Sequence, residues 1–178
     1  MKEIEVKILN VDKKKITQVI SGFGAEKIFD GEIRTTFFDF GDSRMSKAKN
    51  VLRLRKSAKR TLLTFKTILS KGAAKEAEEY EVEVSDFQTM KKILEALGLS
   101  TSGNIQKHRT SYRLNNIRFD IDRLEKELSY VPTYMEIEAE NIDLIYKYAE
   151  LLGYSAKDCL PWSTEDVISY YSTEGKHV

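Results

Sequence analysis

The chain has 178 residues, of which 41% are hydrophobic and 32% are charged, a composition that suits one folded domain and excludes a disordered chain. Its 29 Lys and Arg residues balance 28 Asp and Glu residues, which excludes the broadly basic surface of a general nucleic-acid binder. The single cysteine, Cys159, excludes an intramolecular disulfide and a multi-cysteine metal site, and is typical of a reducing compartment.

The first residues of the sequence do not resemble a targeting signal. Met1-Lys2-Glu3-Ile4-Glu5 has no apolar run, and no stretch has the ~20 consecutive apolar residues that cross a bilayer. We therefore predict a cytoplasmic protein without a membrane partner and without a nucleic-acid partner.

Apolar and charged residues alternate with a period of two along most of the chain, which predicts that strands dominate. Apolar residues at three- and four-residue spacing interrupt this pattern and predict short helices. In chain order, the predicted strands cover residues 2–9, 36–40, 51–56, 62–68, 77–84, 105–114, 117–122 and 134–140. The predicted helices cover residues 13–23, 86–97, 142–152 and 164–171.

Several helix ends are marked by capping residues. Ser85 with Gln88 and Ser163 with Asp166 have the spacing of a capping box, and Asn141 is placed to cap the helix that follows it. Residues 70–75 are predicted to form a mobile hairpin loop. We predict one domain over residues 1–172 and a frayed tail over residues 173–178.

The charges on the predicted strands are segregated by sign. Residues two apart share a face of a strand, so one strand presents Glu3, Glu5 and Lys7 together and another presents Arg53 with Arg55. Like charges so close repel each other. Such rows are tolerable where carboxylates bind cations and where Arg and Lys bind a polyanion.

Two arrangements of the sheet would accommodate these rows of charged residues. In an open sheet the charged face is solvated and forms a ladder of Lys–Glu pairs. Closing about eight strands into a barrel instead turns every charged row inward and forms a tunnel. Because the rows are segregated by sign, we predict an α+β fold, a closed antiparallel eight-stranded β-barrel with a charged interior and helices packed on the outside.

Six short motifs occur in an order that resembles one protein family. Glu3-Ile4-Glu5-Val6-Lys7 is similar to the E-x-E-x-K signature of the CYTH, or triphosphate tunnel metalloenzyme, superfamily. The motifs that resemble its later strands are Leu52-Arg53-Leu54-Arg55, Phe65-Lys66, Glu79-Tyr80-Glu81, Lys107-His108-Arg109 and Glu136-Ile137-Glu138. The segment Ser163-Thr164-Glu165-Asp166-Val167-Ile168-Ser169-Tyr170 resembles the ending of the class IV adenylate cyclase (CyaB) branch. Thr35 stands where that branch often has Asp, and Ala77 where an Arg commonly precedes the acidic strand.

The resemblance implies a site for a triphosphate, such as ATP or tripolyphosphate, with Mg²⁺ or Mn²⁺, and it suggests a homodimer. Hard divalent ions prefer carboxylate oxygens, and the expected metal ligands are Glu3, Glu5, Asp122, Glu136 and Glu138. Asp120 shares a face with Asp122 and stays an alternative, although the Asp-x-Leu context favours Asp122. Guanidinium and ammonium groups suit phosphate oxygens, and the expected triphosphate ligands are Arg53, Arg55, Lys66, Lys107, Arg109 and Arg113. Glu79 and Glu81 are further acids expected in the tunnel, and Lys7 is the candidate general base of a hydrolytic reaction.

Three functions fit these expectations. The first is a CyaB-like adenylate cyclase that converts ATP into cyclic AMP and pyrophosphate. The second is an inorganic tripolyphosphatase or nucleoside triphosphatase that uses the same tunnel. The third is a non-catalytic module that binds polyphosphate, against which the complete set of acids argues.

Overall fold

A computed structural model describes residues 2–58 and 60–174 and shows a closed barrel of eight antiparallel strands. The strands are β1 Lys2–Ile8, β2 Glu26–Phe40, β3 Asn50–Ser57, β4 Thr61–Lys71, β5 Lys75–Val84, β6 Leu99–Leu114, β7 Ile117–Leu124 and β8 Tyr134–Ala139. Around the barrel they follow the order β1-β5-β4-β3-β2-β6-β7-β8, and β8 pairs with β1 to close it. The predicted fold class is confirmed, and the open sheet is wrong.

Two strands are much longer than the sequence pattern predicts. β2 begins ten residues before its predicted start at Thr36, and β6 begins six residues before its predicted start at Ile105. β2 and β6 pair along their whole length, from Glu26 opposite Arg113 to Phe40 opposite Leu99, so the added part of each strand lies beside the predicted part of the other, with register shifts at Lys27/Phe29 and Phe37/Phe38. Because such irregularities disturb the alternation of residues, the period-two signal is lost there.

The described residues form five α-helices, of which the first three connect strands and the last two follow β8. They are α1 Lys13–Gly22, α2 Arg44–Lys47, α3 Phe87–Ala96, α4 Ile142–Leu151 and α5 Thr164–Glu174. The four predicted helices are confirmed, and the single turn of α2 was not predicted. In the described parts of the chain, no helix is long and apolar enough to cross a membrane.

The helix caps confirm most of the sequence signals. Asn141 accepts a hydrogen bond from the Leu144 N–H, and Ser163 with Asp166 forms the reciprocal bonds of a capping box. The prediction for Ser85 is wrong, because Asp86 caps α3 by accepting from the Thr89 N–H. α5 continues to Glu174, two residues into the predicted tail, and the rest of that tail lies outside the described residues.

The largest part of the apolar core lies outside the barrel wall, between β1, β7 and β8 and the helices α1 and α4. Val6, Phe119 and Ile137 point outward and are fully buried beneath Ile20 and Ile145. Burying one large apolar side chain stabilises a fold by about 1.5–3 kcal/mol. This outer core anchors the wall, and the alternate residues of the same strands are thereby fixed toward the interior.

The two ends of the barrel differ. At one end the β4–β5 turn lies beside α5, where Lys71 pairs with Asp166 and Val167 is buried against Leu124 and Tyr134. We call this the α5 end. At the opposite end lie the tight β6–β7 turn, residues 115–116, and the β3–β4 turn. We call this the hairpin end.

Candidate active site in the barrel interior

The barrel encloses a cavity of about 610 Å³ with charge on several walls. β1 and β8 contribute Glu residues and Lys7, whereas β3 and β6 contribute rows of Arg and Lys. Thirteen of the predicted site residues line it: Glu3, Glu5, Lys7, Arg53, Arg55, Lys66, Glu79, Glu81, Lys107, Arg109, Arg113, Glu136 and Glu138. The period-two assignment of these side chains to the interior is therefore confirmed.

The β3 row carries more positive charge than its neighbours neutralise. Arg55 Nη2 lies 3.0 Å from Glu81 Oε2, and Arg53 Nη2 lies 3.6 Å from Glu79 Oε2. The Nε atoms of both arginines are buried without a hydrogen-bond partner among the described residues. The nearby Arg53, together with burial, lowers the pKa of Arg55, and Arg109 adds to the effect. A bound polyanion would relieve this repulsion.

A second cluster is fully paired and lies deeper in the wall. The Asp122 carboxylate accepts hydrogen bonds of 2.6 Å from Lys107 Nζ and from Arg109 Nε and Nη2, and Arg109 also pairs with Asp120 and, at 3.3 Å, with Glu136. Burial alone would raise the pKa of Asp122, but Arg109 and Lys107 lower it to about 2. Asp120 and Asp122 are buried and do not line the open cavity.

The acidic wall is interleaved with lysines. Lys7 Nζ lies 3.0 Å from Glu136 Oε2 and 3.5 Å from Glu5 Oε1, while Lys66 pairs with both Glu3 and Glu79. Burial would lower the pKa of Lys7, but Glu136 and Glu5 raise it well above its ordinary value. With these partners, Lys7 is a cation at neutral pH.

Glu138 differs from the other acids of this wall, because no cation of the described residues lies within ion-pair distance of it. Burial, and then the neighbouring Glu3, raise the pKa of Glu138 to about 7. Glu138 stands directly opposite Glu5 in the β1–β8 pairing. A divalent cation beside Glu138 would remove this unfavourable charge, so the donor chemistry fits a hard metal ion.

The carboxylates are not already arranged as a metal cage. Within residues 2–58 and 60–174, no group of three or more His, Cys, Asp or Glu side chains is placed to hold a metal ion. The reason is visible in the pairing, since Glu3, Glu5 and Glu136 turn toward lysines instead of toward one point. To bind a metal ion together, these carboxylate side chains would have to rotate away from the lysines.

Two interior cations were missed by sequence reasoning. Lys75 is buried, and its Nζ lies 2.6 Å from Glu5 Oε1. The hairpin predicted over residues 70–75 is present, but its loop is shorter than predicted, because β4 runs to Lys71 and β5 begins at Lys75. The signal was present, since Lys75 precedes Ala77 by two residues and shares its face.

The other missed cation is Arg118 at the hairpin end. Its Nη2 lies 2.9 Å from Asp120 Oδ2, and its side chain lines the cavity near Arg113, which is exposed at the mouth. Arg118 shares a strand face with Asp120 and Asp122, so the period-two pattern was sufficient to place it in the interior.

Comparisons with known proteins agree with this architecture. MJ0240 of Methanocaldococcus jannaschii, provisionally named an adenylate cyclase, is 27% identical over 125 residues, which are 70% of this chain and 71% of that protein. The solved structure of PH1012 from Pyrococcus horikoshii has a TM-score of 0.78 at 28% identity and covers 93% of this chain and 98% of its own.

A more distant structure shares the fold alone. HpAC1 of Hippeastrum, provisionally named an adenylyl cyclase and described as having a dominant triphosphatase activity, has a TM-score of 0.65 at 14% identity, with 94% of this chain and 95% of that chain covered. The sequence profile of the CYTH domain matches residues 1–161, which contain all eight strands of the barrel and the helices α1 to α4. With six motifs of that family brought together inside one closed barrel, the chain belongs to the CYTH domain family.

Proposed function

We propose that this chain is a divalent-metal-dependent enzyme that acts on a triphosphate, and that it is a CyaB-like adenylate cyclase converting ATP into cyclic AMP and pyrophosphate. The observation that carries the proposal is the under-neutralised arginine row, Arg53 and Arg55, which faces acids across one enclosed cavity. A triphosphate needs cationic ligands, and its metal ion needs carboxylates. The cavity offers both.

In this proposal the chain's own residues bind and orient the triphosphate. Arg53 and Arg55 bind phosphate oxygens from β3, while Lys107 and Arg109 bind them from β6, and Lys66 and Arg113 complete the set. Lys75 and Arg118 are added to it, because both line the same cavity. Holding the chain of phosphates along the tunnel fixes which phosphorus lies in line with a nucleophile.

The proposed metal ligands are Glu3, Glu5, Glu136 and Glu138, with Mg²⁺ or Mn²⁺ as the ion. When bound, such an ion withdraws charge from the phosphate oxygens at the reacting phosphorus. Asp122 stays in the proposed set, with Asp120 as the alternative. The contacts of both with Arg109 indicate that they act mainly by positioning that guanidinium.

The two enzymatic reactions differ in which atom attacks. In the cyclase, the ribose 3′-oxygen attacks the α-phosphorus and pyrophosphate leaves. In the alternative, a water molecule attacks the terminal phosphorus and orthophosphate leaves. The fold accommodates this alternative, since HpAC1 is described as having a dominant triphosphatase activity.

Lys7 is the candidate base of the hydrolytic reaction. Because its pKa is raised and a base must first lose its proton, the rate of such hydrolysis should increase toward alkaline pH.

Product analysis tests the proposal. The protein is incubated with ATP and, separately, with tripolyphosphate in the presence of Mg²⁺ or Mn²⁺, and the products are separated by chromatography. We expect cyclic AMP and pyrophosphate from ATP. Orthophosphate release would support the hydrolytic alternative. If both compounds remain intact from neutral to alkaline pH while tripolyphosphate binds, the chain is a binding module and both enzymatic functions are refuted.

A further inference from the structure

A second, smaller cavity lies on the outer surface of the barrel wall. It has a volume of about 260 Å³ and is lined by Lys13, His108, Ile121, Arg123 and Thr133. Lys13 and Arg123 are cations and His108 can become one, and no acid is among the described residues that line the cavity. We call these five residues the outer basic pocket.

The basic side chains of this pocket come from three elements that the fold holds together. His108 of β6 and Arg123 of β7 stand directly opposite each other in the antiparallel pairing, on the face of the wall that points away from the tunnel. Lys13 is the first residue of α1, and the Val11 N–H donates a hydrogen bond of 3.0 Å to the Thr133 carbonyl. This bond holds the start of α1 beside the residue that precedes β8.

The positive charge at the start of α1 is incompletely balanced. Lys13 has no ion-pair partner among the described residues. Lys14 and Lys15 follow it, and the first turn of the helix contains no acid. Cations in a first turn meet the positive end of the helix dipole, which is unfavourable. Asp12 offsets part of this charge by capping the helix, where it accepts from the Lys14 and Lys15 N–H groups.

The two acids beside the outer basic pocket do not balance the strand residues either. Glu125 Oε1 lies 3.5 Å from Arg123 Nη2, and the Arg123 side chain is 65% exposed, so a ligand can reach it from solvent. Asp30 Oδ1 lies 3.4 Å from His108 Nε2, but Lys27 pairs with the other oxygen of that carboxylate at 3.3 Å. An anion in the pocket would therefore meet an excess of positive charge.

The size and the donors of the pocket suit a small anion. Sites for drug-sized ligands typically have volumes of about 300–1,000 Å³, and this pocket lies below that range. A guanidinium group binds phosphate oxygens through paired hydrogen bonds and an ammonium group binds them as a point charge. The Thr133 hydroxyl can donate a further bond. These donors together match the oxygens of orthophosphate or pyrophosphate.

We infer that the outer basic pocket binds a small phosphate anion, orthophosphate or pyrophosphate, at a site separate from the tunnel. Lys107 and Arg109 flank His108 along β6 and line the tunnel, so the two sites lie on opposite faces of the same strand. The inference is independent of the proposed function, because it needs only the outer surface of the barrel.

NMR spectroscopy of the His108 imidazole tests the inference. The chain has two histidines, so the His177→Ala variant assigns the His108 resonances. Orthophosphate and, separately, pyrophosphate are titrated into the full chain at constant pH and ionic strength. We expect a saturable shift of the His108 resonances, and the anion with the lower Kd identifies the preferred ligand.

Variants of exposed residues locate the anion. Lys13→Ala and Arg123→Ala are each expected to raise the Kd by about tenfold or more, the scale of one lost hydrogen bond to a charged group. Lys14→Ala is the matched control, because Lys14 lies in the same turn of α1 but does not line the pocket. It should leave the Kd unchanged, and so should Arg55→Ala in the tunnel.

Three results would overturn the inference. The first is the lack of a saturable His108 shift with either anion. The second is a Kd that neither Lys13→Ala nor Arg123→Ala raises, or that Lys14→Ala raises equally, since the attraction would then be diffuse. The third is a response that Arg55→Ala abolishes and Lys13→Ala preserves, which would place the anion in the tunnel.

Discussion

Glu136→Gln is expected to lower the turnover of ATP by at least about a hundredfold while leaving the barrel folded. Glu136 lies at the centre of the interior charges, 3.0 Å from Lys7 Nζ and 3.3 Å from Arg109 Nη2. Burial would raise its pKa, but Lys7 and Arg109 hold that pKa well below its ordinary value, so Glu136 is ionised in the folded protein. Gln keeps the shape and removes the negative charge that a divalent ion requires.

Glu140→Gln is the matched control, because Glu140 follows in the same alternating row but is exposed at the end of β8. Activity is measured at saturating Mg²⁺ and at saturating Mn²⁺, with circular dichroism to verify folding. Glu140→Gln should retain activity, and a chelator should abolish the activity of the wild type. Full activity of Glu136→Gln with either metal would remove this residue from the metal site.

Arg109→Ala and Arg55→Ala are expected to have different effects on stability, although both arginines line the same cavity. Arg109 pairs with the buried Asp120 and Asp122 and with the partly buried Glu136, and its loss leaves these acids facing one another. Removing one partner of a buried ion pair typically costs about 3–5 kcal/mol. Arg55 is surrounded by other arginines, and its removal relieves repulsion with Arg53. We expect the free energy of unfolding to fall by about 3–5 kcal/mol for Arg109→Ala and to stay unchanged or rise for Arg55→Ala.

Urea denaturation of the ligand-free proteins measures this difference. Arg34→Ala provides a surface control, since Arg34 has a side chain that is 68% exposed. Equal destabilisation by Arg55→Ala and Arg109→Ala would mean that the β3 row is neutralised in the free protein.

Arg55→Ala should remain stable, so it is also the clearer variant for a binding measurement. We expect it to lose about 1–3 kcal/mol of tripolyphosphate affinity, the scale of a lost charge-assisted contact.

The fold could be predicted from sequence wherever alternation was regular. Glu3-Ile4-Glu5-Val6-Lys7 has one charged and one apolar face, and β1 was placed correctly with its charges inward. The first part of β2 was missed because Gly31 and the shift near Phe29 interrupt that pattern. Lys75 was missed because Gly72 and two alanines before it are typical of a loop, whereas the turn closes in three residues, 72–74.

The sequence was sufficient to predict which strand faces carry the charged residues of the site, but not which acid pairs with which base. Alternation determines which face a side chain occupies, and it correctly directed Glu5, Arg55 and Glu136 inward. Which acid meets which base depends on the register of strands that are far apart in sequence, as in the pairing of Lys75 with Glu5 across β1 and β5.

A competition titration shows whether one interior site binds the triphosphate group of both ATP and tripolyphosphate. ATP is titrated by calorimetry with Mg²⁺, first alone and then in the presence of increasing tripolyphosphate. One shared site predicts that the apparent Kd of ATP rises linearly with the concentration of free tripolyphosphate, with no change in the number of ATP molecules bound at saturation. An apparent Kd that stays constant while tripolyphosphate binds would show that ATP and tripolyphosphate occupy separate sites, and a shared triphosphate site in the barrel would then be wrong.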